Sequence, residues 1–197
     1  MLAFLDTEFT DLAIRPRLLS VAIVTTHECG REFYAEVTDR DRVHATNWFG
    51  LSAVLPQFGK VADAACSYAE LATRLCAFMG DMVAGLQSGE FIDLTYGYHM
   101  DWELIDLAGQ DAGTRLWASI RRLIRPLNVY DLTGFGSGKS AAEAYFNAQA
   151  LAPFSRHHAL CDARALRAAY EAATRPAATP GLTTKPTQGQ SVTMVAT

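Results

Sequence analysis

The sequence predicts an α/β fold built on a mixed five-stranded sheet flanked by helices. Three apolar runs typical of strands come first: LAFLDTEF (2–9), RLLSVAIVTT (17–26) and REFYAEVT (31–38). Two further strand-like runs, FIDLTYGY (91–98) and NVYDLTGF (128–135), alternate with stretches of helical periodicity. This order indicates a sheet that begins as a three-strand antiparallel meander and continues with parallel strands.

The second and third runs are separated by HECG (27–30), a turn-like stretch containing Gly30, and therefore predict an antiparallel hairpin. The segment that follows, residues 39–59, is polar at first and then holds Trp48, Phe49 and Leu51. We expect a long connection with short helical pieces there.

Five stretches predict helices. The stretch SYAELATRLCAFMGDMV (67–83) has apolar residues at positions 68, 71, 72, 75, 78 and 79, the stripe of an amphipathic helix. The other four are DWELIDLAGQ (101–110), TRLWASIRRLI (114–124), which ends before Pro126, SAAEAYFNAQA (140–150) and HALCDARALRAAYEAA (158–173).

Length and composition predict one folded domain with a short tail. The chain has 197 residues, of which 50% are hydrophobic, enough for one core, and we assign residues 1–173 to it. Residues 174–197 are rich in Thr, Pro, Gly and Gln and poor in aromatic residues, which predicts a disordered C-terminal tail.

Charge and targeting signals narrow the class of protein. The formal net charge of −4 excludes a global basic field, so any contact with nucleic acid must be local. We expect a cytoplasmic protein without membrane contact, because the first residues are unlike a secretory signal and no apolar run is long enough to span a bilayer. Four scattered cysteines, without a C-x-x-C pair, are expected to be reduced thiols.

Acidic side chains recur at three places where the predicted strands and helices meet. Asp6 and Glu8 in FLDTEFT (4–10) share one face of the first strand, because side chains alternate with period two. Asp101 lies between FIDLTYGY and the next helix, and HHALCDARAL places His157 five residues before Asp162. Side chains five apart on a helix diverge by roughly 140°, so His157 must precede the helix that carries Asp162 if both face one point.

Four carboxylates gathered at one point would need cations to offset their repulsion. Hard divalent ions with oxygen ligands, magnesium or manganese, suit such a site. Two ions about 4 Å apart would clamp the attacking and leaving oxygens of an in-line phosphoryl displacement. A histidine beside the attacking water would be the natural general base.

The order D-x-E, a lone D and H-x-x-x-x-D resembles the motifs of the DEDDh family of 3′–5′ exonucleases, over residues 1–173. FLDTEFT resembles the first motif, YGYHMDWELI the second and HHALCDARAL the third, although the asparagine common before the second aspartate is absent. RLLSVAIV also resembles the strand after the first motif in oligoribonuclease, RNase T and mycobacterial-type exoribonucleases.

The resemblance implies an RNase H-like fold and two-metal hydrolysis that releases nucleoside 5′-monophosphates. It implies two Mg²⁺ ions, replaceable by Mn²⁺, and single-stranded 3′ ends as substrate, with RNA favoured over DNA. A homodimer is common in the resembled group. Carried over by position, the metal ligands and catalytic acids are Asp6, Glu8, Asp101 and Asp162, and the base is His157.

The first motif also suggests substrate contacts. Phe9 and Thr10 follow the acids, where the family contacts the terminal nucleotide, and Trp102 is a further stacking candidate. Stacking on an exposed aromatic side chain contributes about 1–3 kcal/mol per base.

Each acid taken alone also has a structural explanation. Asp6 and Glu8 could be solvated residues of an edge strand, and Asp101 could cap the following helix. His157 and Asp162 could belong to an ordinary first turn and a solvated helix face. The functional interpretation depends on the agreement of order, spacing and context at all three places.

Three further patterns leave alternatives open. His158 lies four residues before Asp162 and competes with His157, which alone fits the five-residue spacing. TGFGSGKS (133–140) resembles a phosphate-binding loop but is one residue short, and predicts a flexible turn with Ser140 as a helix cap. A local basic cluster could contact phosphates or be a solvated face: Arg115, Arg121, Arg122 and Arg125.

The sequence therefore predicts a metal-dependent 3′–5′ exonuclease. The alternative is a nuclease-fold module that binds nucleic acid or a protein partner without cleaving it.

Overall fold

The computed structural model describes residues 1–12, 15–26, 28–131, 135–149 and 155–174, without the side chains of residues 135–137. Within these ranges the chain forms an α/β fold with a mixed six-stranded sheet flanked by helices. The strands are β1 (Leu2–Phe9), β2 (Leu18–Thr25), β3 (Glu32–Val37), β4 (Ala65–Cys66), β5 (Ile92–Tyr96) and β6 (Ile124–Asn128). The helices are α1 (Arg40–His44), α2 (Tyr68–Ala84), α3 (His99–Arg121), α4 (Phe135–Ala148) and α5 (Ala159–Thr174).

The sheet order is β4-β3-β2-β1-β5-β6. β1, β2 and β3 form the predicted antiparallel meander, whereas β5 and β6 continue the sheet in parallel with β1. The predicted number of five strands is wrong, because β4 adds a short parallel strand beside Glu36 and Val37 at the other edge. Two residues are too few to show a period-two pattern in the sequence.

The last strand lies earlier than predicted. β6 spans Ile124–Asn128 and leads into a 3₁₀ turn, Val129–Asp131, whereas residues 132–134 of the predicted strand lie outside the described residues. Pro126, expected to follow a helix end, lies inside β6 opposite Leu94. An edge strand accepts proline because one of its sides needs no hydrogen-bond donor.

The connection after β3 contains the expected short helical pieces, namely α1, a π-helical turn (Gly50–Val54) and a 3₁₀ turn (Leu55–Gln57). The two helices predicted after β5 form one element, α3, which Gly113 interrupts with an extended backbone (φ 162°, ψ 102°).

Helix α4 begins at Phe135, so Ser140 lies inside it and is not its cap. Gly138 and Lys139 are therefore helical residues, and the predicted flexible turn is wrong over residues 135–140, whereas residues 133 and 134 lie outside the described residues. A Cβ at Gly138 would lie 2.5 Å from the carbonyl oxygen of Ala169. Gly138 allows α4 to approach the backbone of α5. This close packing accounts for a glycine at position 138 without a phosphate-binding loop.

Two cores cover the two faces of the sheet. α2 and α3 pack on one face, over Leu5 of β1 and Ile23 of β2, whereas α5 packs on the other, over Phe4 and Val24. Even-numbered side chains of β1 therefore face α5, and odd-numbered ones face α3. This alternation places the side chains of Asp6 and Glu8 on the face of the sheet that α5 covers.

No helix within the described ranges is long and apolar enough to cross a membrane. The predicted disordered tail lies outside the described residues from residue 175 onward.

Candidate metal centre

Strand β1 carries the first two acids toward the start of α5. The side chains of Asp6 and Glu8 both experience electrostatic repulsion from Asp162, which lies in the first turn of α5. The central position of β1 in the sheet argues against the edge-strand explanation of these two residues.

Asp162 is tied to the loop before its helix. Its Oδ2 atom accepts a hydrogen bond of 2.9 Å from the backbone N–H of His157. His157 has a left-handed backbone (φ 67°), an uncommon conformation for a non-glycine residue and one that is frequent at functional sites. As the spacing of the motif requires, the histidine precedes the helix that carries the acid.

Glu8, His157 and Asp162 form a compact cluster. Each offers one ligand atom, and these atoms lie within 4.8 Å of one another. Such a group of two carboxylates and an imidazole could hold a metal ion.

Asp101 lies in the first turn of α3, beside this cluster but engaged in its own hydrogen bonds. Its Oδ1 accepts from the hydroxyl (2.7 Å) and the backbone N–H (3.2 Å) of Thr7, and its Oδ2 accepts from the backbone N–H of Tyr98 (3.0 Å). Asp101 is not the N-cap that the sequence left open, because α3 begins at His99 and its N-cap is Tyr98; Asp101 is the third residue of the helix and accepts from the N-cap backbone in a capping box. Its charge nevertheless raises the pKa of Asp6 and that of Glu8, although its ligand atoms are not part of the compact cluster of Glu8, His157 and Asp162.

The acids are held in a state that resists ionisation. Burial, followed by repulsion from Asp162 and Asp101, raises the pKa of Glu8 to about 9. Burial also raises the pKa of Asp162 to about 7 and that of Asp101 to about 6. Asp6 is shifted in the same direction by burial and then by the neighbouring acids. In the absence of cations, part of this cluster retains protons at neutral pH.

Two carboxylate oxygens of these acids are evidence for a cation site rather than a purely structural hydrogen-bond network. Asp6 Oδ2 and Asp162 Oδ1 are buried, and no described residue donates a hydrogen bond to them. A buried acceptor without a donor costs free energy, about 1–3 kcal/mol each. Hard divalent cations prefer oxygen ligands of this kind, so the residues fit Mg²⁺ or Mn²⁺.

The two neighbouring histidines lie in different environments. The ring of His157 contacts Phe49 edge-on at 4.9 Å and belongs to the cluster, and burial, followed by the charge of Arg156, lowers its pKa. His158 is only 1% exposed and stacks on Tyr34 at 4.6 Å. The structure thus brings His157, and not His158, to the acids.

Two cavities flank the cluster. One, of about 250 Å³, is lined by Glu8, Phe9, Asp11, Leu12, Asn47, Phe49 and Val54. The other, of about 500 Å³, is lined by Asp6 and Asp162 and by residues of α4.

The predicted substrate contacts differ in their placement. Phe9 lines the smaller cavity and stacks on Tyr98, with ring centroids 6.4 Å apart. Thr10 is only 3% exposed, and its hydroxyl oxygen accepts a hydrogen bond from the backbone N–H of Arg17. Trp102 packs against the core on the α3 side, and the guanidinium of Arg121 lies 4.5 Å from its ring centroid. The position of Trp102 does not support a role in stacking.

Two residues that line the smaller cavity, Asn47 and Phe49, are not among the site residues predicted from the sequence. The only signal in the sequence was the pair of aromatic residues in an otherwise polar connection. Their position depends on how that connection folds over the end of β1.

Half of the basic cluster is already neutralised. Arg125 forms a bidentate pair with Asp93 (2.6 and 2.9 Å), and Arg121 lies 3.3 Å from Asp106. Arg115 and Arg122 are exposed. These contacts favour the solvated helix face over a phosphate-binding surface.

A comparison with models of known protein families and with curated proteins finds no match for this chain.

Proposed function

We propose that this protein is a metal-dependent 3′–5′ exonuclease with an RNase H-like fold, acting on single-stranded nucleic acid and preferentially on RNA. One observation carries the proposal: Glu8, His157 and Asp162 gather their ligand atoms within 4.8 Å, next to Asp6 and Asp101. The antiparallel meander continued by parallel strands, with helices on both faces, is compatible with the proposed fold.

The four carboxylates would hold two Mg²⁺ ions, which Mn²⁺ could replace. When bound, such ions stabilise negative charge on a phosphodiester and lower the pKa of a water molecule. Asp6 and Asp162 contribute their buried oxygens that lack donors. Thr7 and Tyr98 fix the carboxylate of Asp101 in orientation.

His157 is the proposed general base. Its lowered pKa keeps the imidazole uncharged at neutral pH, so it can accept the proton of the attacking water. The water oxygen bonds to the terminal phosphorus while the bond from phosphorus to the 3′ oxygen of the preceding nucleotide breaks. The products are a nucleoside 5′-monophosphate and a strand that is one nucleotide shorter.

The smaller cavity supports a site for the 3′-terminal nucleoside. It adjoins Glu8, and Phe9 and Phe49 give it aromatic walls on which a base could stack. Asn47 adds an amide that can both donate and accept hydrogen bonds.

The direct test measures release of the 3′-terminal nucleotide from matched RNA and DNA oligonucleotides. Each oligonucleotide is labelled at the phosphate between its last two nucleosides. We expect 5′-monophosphate release with Mg²⁺ or Mn²⁺ and none with a chelator, and faster release from RNA. Asp162→Asn should reduce the rate by at least about 10²-fold, since removal of one charged group from such a site costs several kcal/mol.

Glu70→Gln is the matched control, because Glu70 is also an acid in the first turn of a helix but is exposed and remote from the cluster. It should leave the rate unchanged. Absence of release from RNA and DNA with either metal would contradict the proposal and favour the alternative, a nuclease-fold module that binds nucleic acid or a protein partner without cleaving it.

A further inference from the structure

The larger cavity joins the acids to a lysine that the proposed reaction does not use. Lys139 lies in the second turn of α4, is exposed, and lines this cavity together with Asp6 and Asp162. We infer that this cavity binds the strand on the 5′ side of the cleaved bond, with Lys139 bound to the next phosphate along the strand. The inference rests on the proposed function and specifies how its site holds the substrate.

The positions of the two cavities support this assignment. Asp6 and Glu8 lie two residues apart on β1, about 7 Å along the strand. The smaller cavity adjoins Glu8, and the larger adjoins Asp6 and Asp162. Because the ligand atoms of Glu8 and Asp162 lie within 4.8 Å of each other, a strand whose reacting phosphate lies at the acids can reach both cavities. At about 500 Å³ against 250 Å³, the larger cavity suits the rest of the strand and the smaller one suits a single terminal nucleoside.

The charges on the cavity wall single out Lys139. The other cation there, Arg156, is paired with Glu143 at 2.7 Å and lies over the ring of Phe146. Lys139 forms no ion pair with a described residue, although Asp6 and Asp162 line the same cavity. An ammonium group without an acidic partner among the described residues, in the same cavity as the proposed metal ligands, is suited to bind a phosphate of the substrate.

The remaining wall is suited to a nucleoside. Val129, Phe146 and Leu166 give it an apolar surface, and Tyr130 lines it with 64% of its surface exposed. A sugar and base can pack on such a surface while the phosphate reaches Lys139.

Initial cleavage rates of two short RNAs test the inference. A dinucleotide contains only the phosphate that is attacked, whereas a trinucleotide adds the phosphate assigned to Lys139. Lys139→Ala should lower kcat/KM for the trinucleotide about five- to tenfold through KM, and leave the dinucleotide unchanged. Lys139→Arg should retain most of the trinucleotide rate. Arg122→Ala, which removes an exposed cation at the C-cap of α3, is the matched control and should affect neither substrate.

Equal losses on both substrates, or an unchanged KM for the trinucleotide, would overturn the role of Lys139. If the wild-type protein cleaves neither RNA, the proposed function fails, and calorimetric binding of both RNAs in Ca²⁺ then tests Lys139 separately. The wild type should bind the trinucleotide more tightly, and Lys139→Ala should abolish that preference. A wild type without this preference would refute the assignment.

Discussion

At the scale of single residues, the neighbouring His157 and His158 differ in their surroundings and in the role that we expect of each. His157 adopts a left-handed backbone and contributes a ligand atom to the acid cluster, whereas His158 is buried against Tyr34. Burial and the charge of Lys60 lower the pKa of His158 to about 4, so it remains neutral in the core. Two adjacent histidines thus serve different purposes.

This difference predicts opposite effects of substitution. His157→Asn should lower kcat about 10²–10⁴-fold, because asparagine tolerates a positive φ but cannot act as a base. His158→Ala should instead lower the free energy of unfolding by roughly 1–3 kcal/mol and leave kcat of the folded protein nearly unchanged. Initial rates and urea unfolding of both variants measure this. A large loss of kcat in His158→Ala, with His157→Asn active, would reverse the assignment.

Part of the site follows from the sequence at this scale. Period-two alternation places Asp6 and Glu8 on one face of β1, and their repulsion from Asp162 agrees with it. The bonds from Thr7 to Asp101 could not be predicted, because they depend on α3 packing on the opposite face of the same strand. In the D-x-E motif the middle residue carries no recognisable signal, yet here it orients the third acid.

At the scale of elements, a 3₁₀ turn secures the loop that carries His157. Gln57, at the end of the turn Leu55–Gln57, donates from Nε2 to the hydroxyl of Ser155 and the carbonyl of Arg156, both at 2.9 Å. The backbone N–H of Ser155 donates in return to Gln57 Oε1 at 3.3 Å. The side chain is only 9% exposed, so these bonds lie largely away from water.

Gln57 is therefore expected to be a positioning residue. Gln57→Ala should lower kcat about tenfold with KM changed less than about twofold, since it loosens the backbone before His157 without touching the cavities. Lys60→Ala is the matched control, because it removes the bond from Lys60 to Gln57 Oε1 and a charge near His158 but leaves the bonds from Gln57 to the loop intact. Steady-state kinetics on RNA measure both, and a rise in KM alone would contradict the positioning role.

The sequence predicts helices and strands correctly where the hydrophobic pattern is long. It predicts them incorrectly where tertiary packing determines the bounds of an element. The meander, α2 and α5 follow from patterns of eight to seventeen residues. β6 was misplaced because Pro126 is compatible with an edge strand, and only the sheet order shows that this strand is at an edge. The start of α4 was missed because Gly138 indicates a turn in the sequence but serves close helix packing in the structure.

At the scale of the whole molecule, the fold brings together acids that are far apart in the chain, at a cost in stability. Folding raises the pKa of Glu8 from 4.5 to about 9 and that of Asp162 from 3.8 to about 7, burial being the first cause of both shifts. A group whose pKa is raised by folding stabilises the fold fully below its unfolded pKa and loses that contribution as the pH rises through its folded pKa. His158 has the opposite sign between pH 4 and 6.5, and therefore contributes no slope at higher pH.

The metal-free protein should therefore become less stable as the pH rises from 7 to 9. Glu8 and Asp162 together predict a loss of roughly 2–3 kcal/mol over this range. For a chain of this size that loss corresponds to a fall in Tm of about 5–10 °C.

Mg²⁺ replaces protons at the carboxylates and should raise Tm more at pH 9 than at pH 7. Thermal unfolding in chelator and in Mg²⁺ at both pH values measures this. Glu8→Gln should reduce the metal-free pH dependence, to which Asp6 and Asp162 contribute with the same sign, and weaken the effect of Mg²⁺, because the amide neither ionises nor binds the ion well. An equal rise in Tm with Mg²⁺ at pH 7 and pH 9, or a Glu8→Gln variant that behaves as the wild type, would show that these acids do not form a metal site.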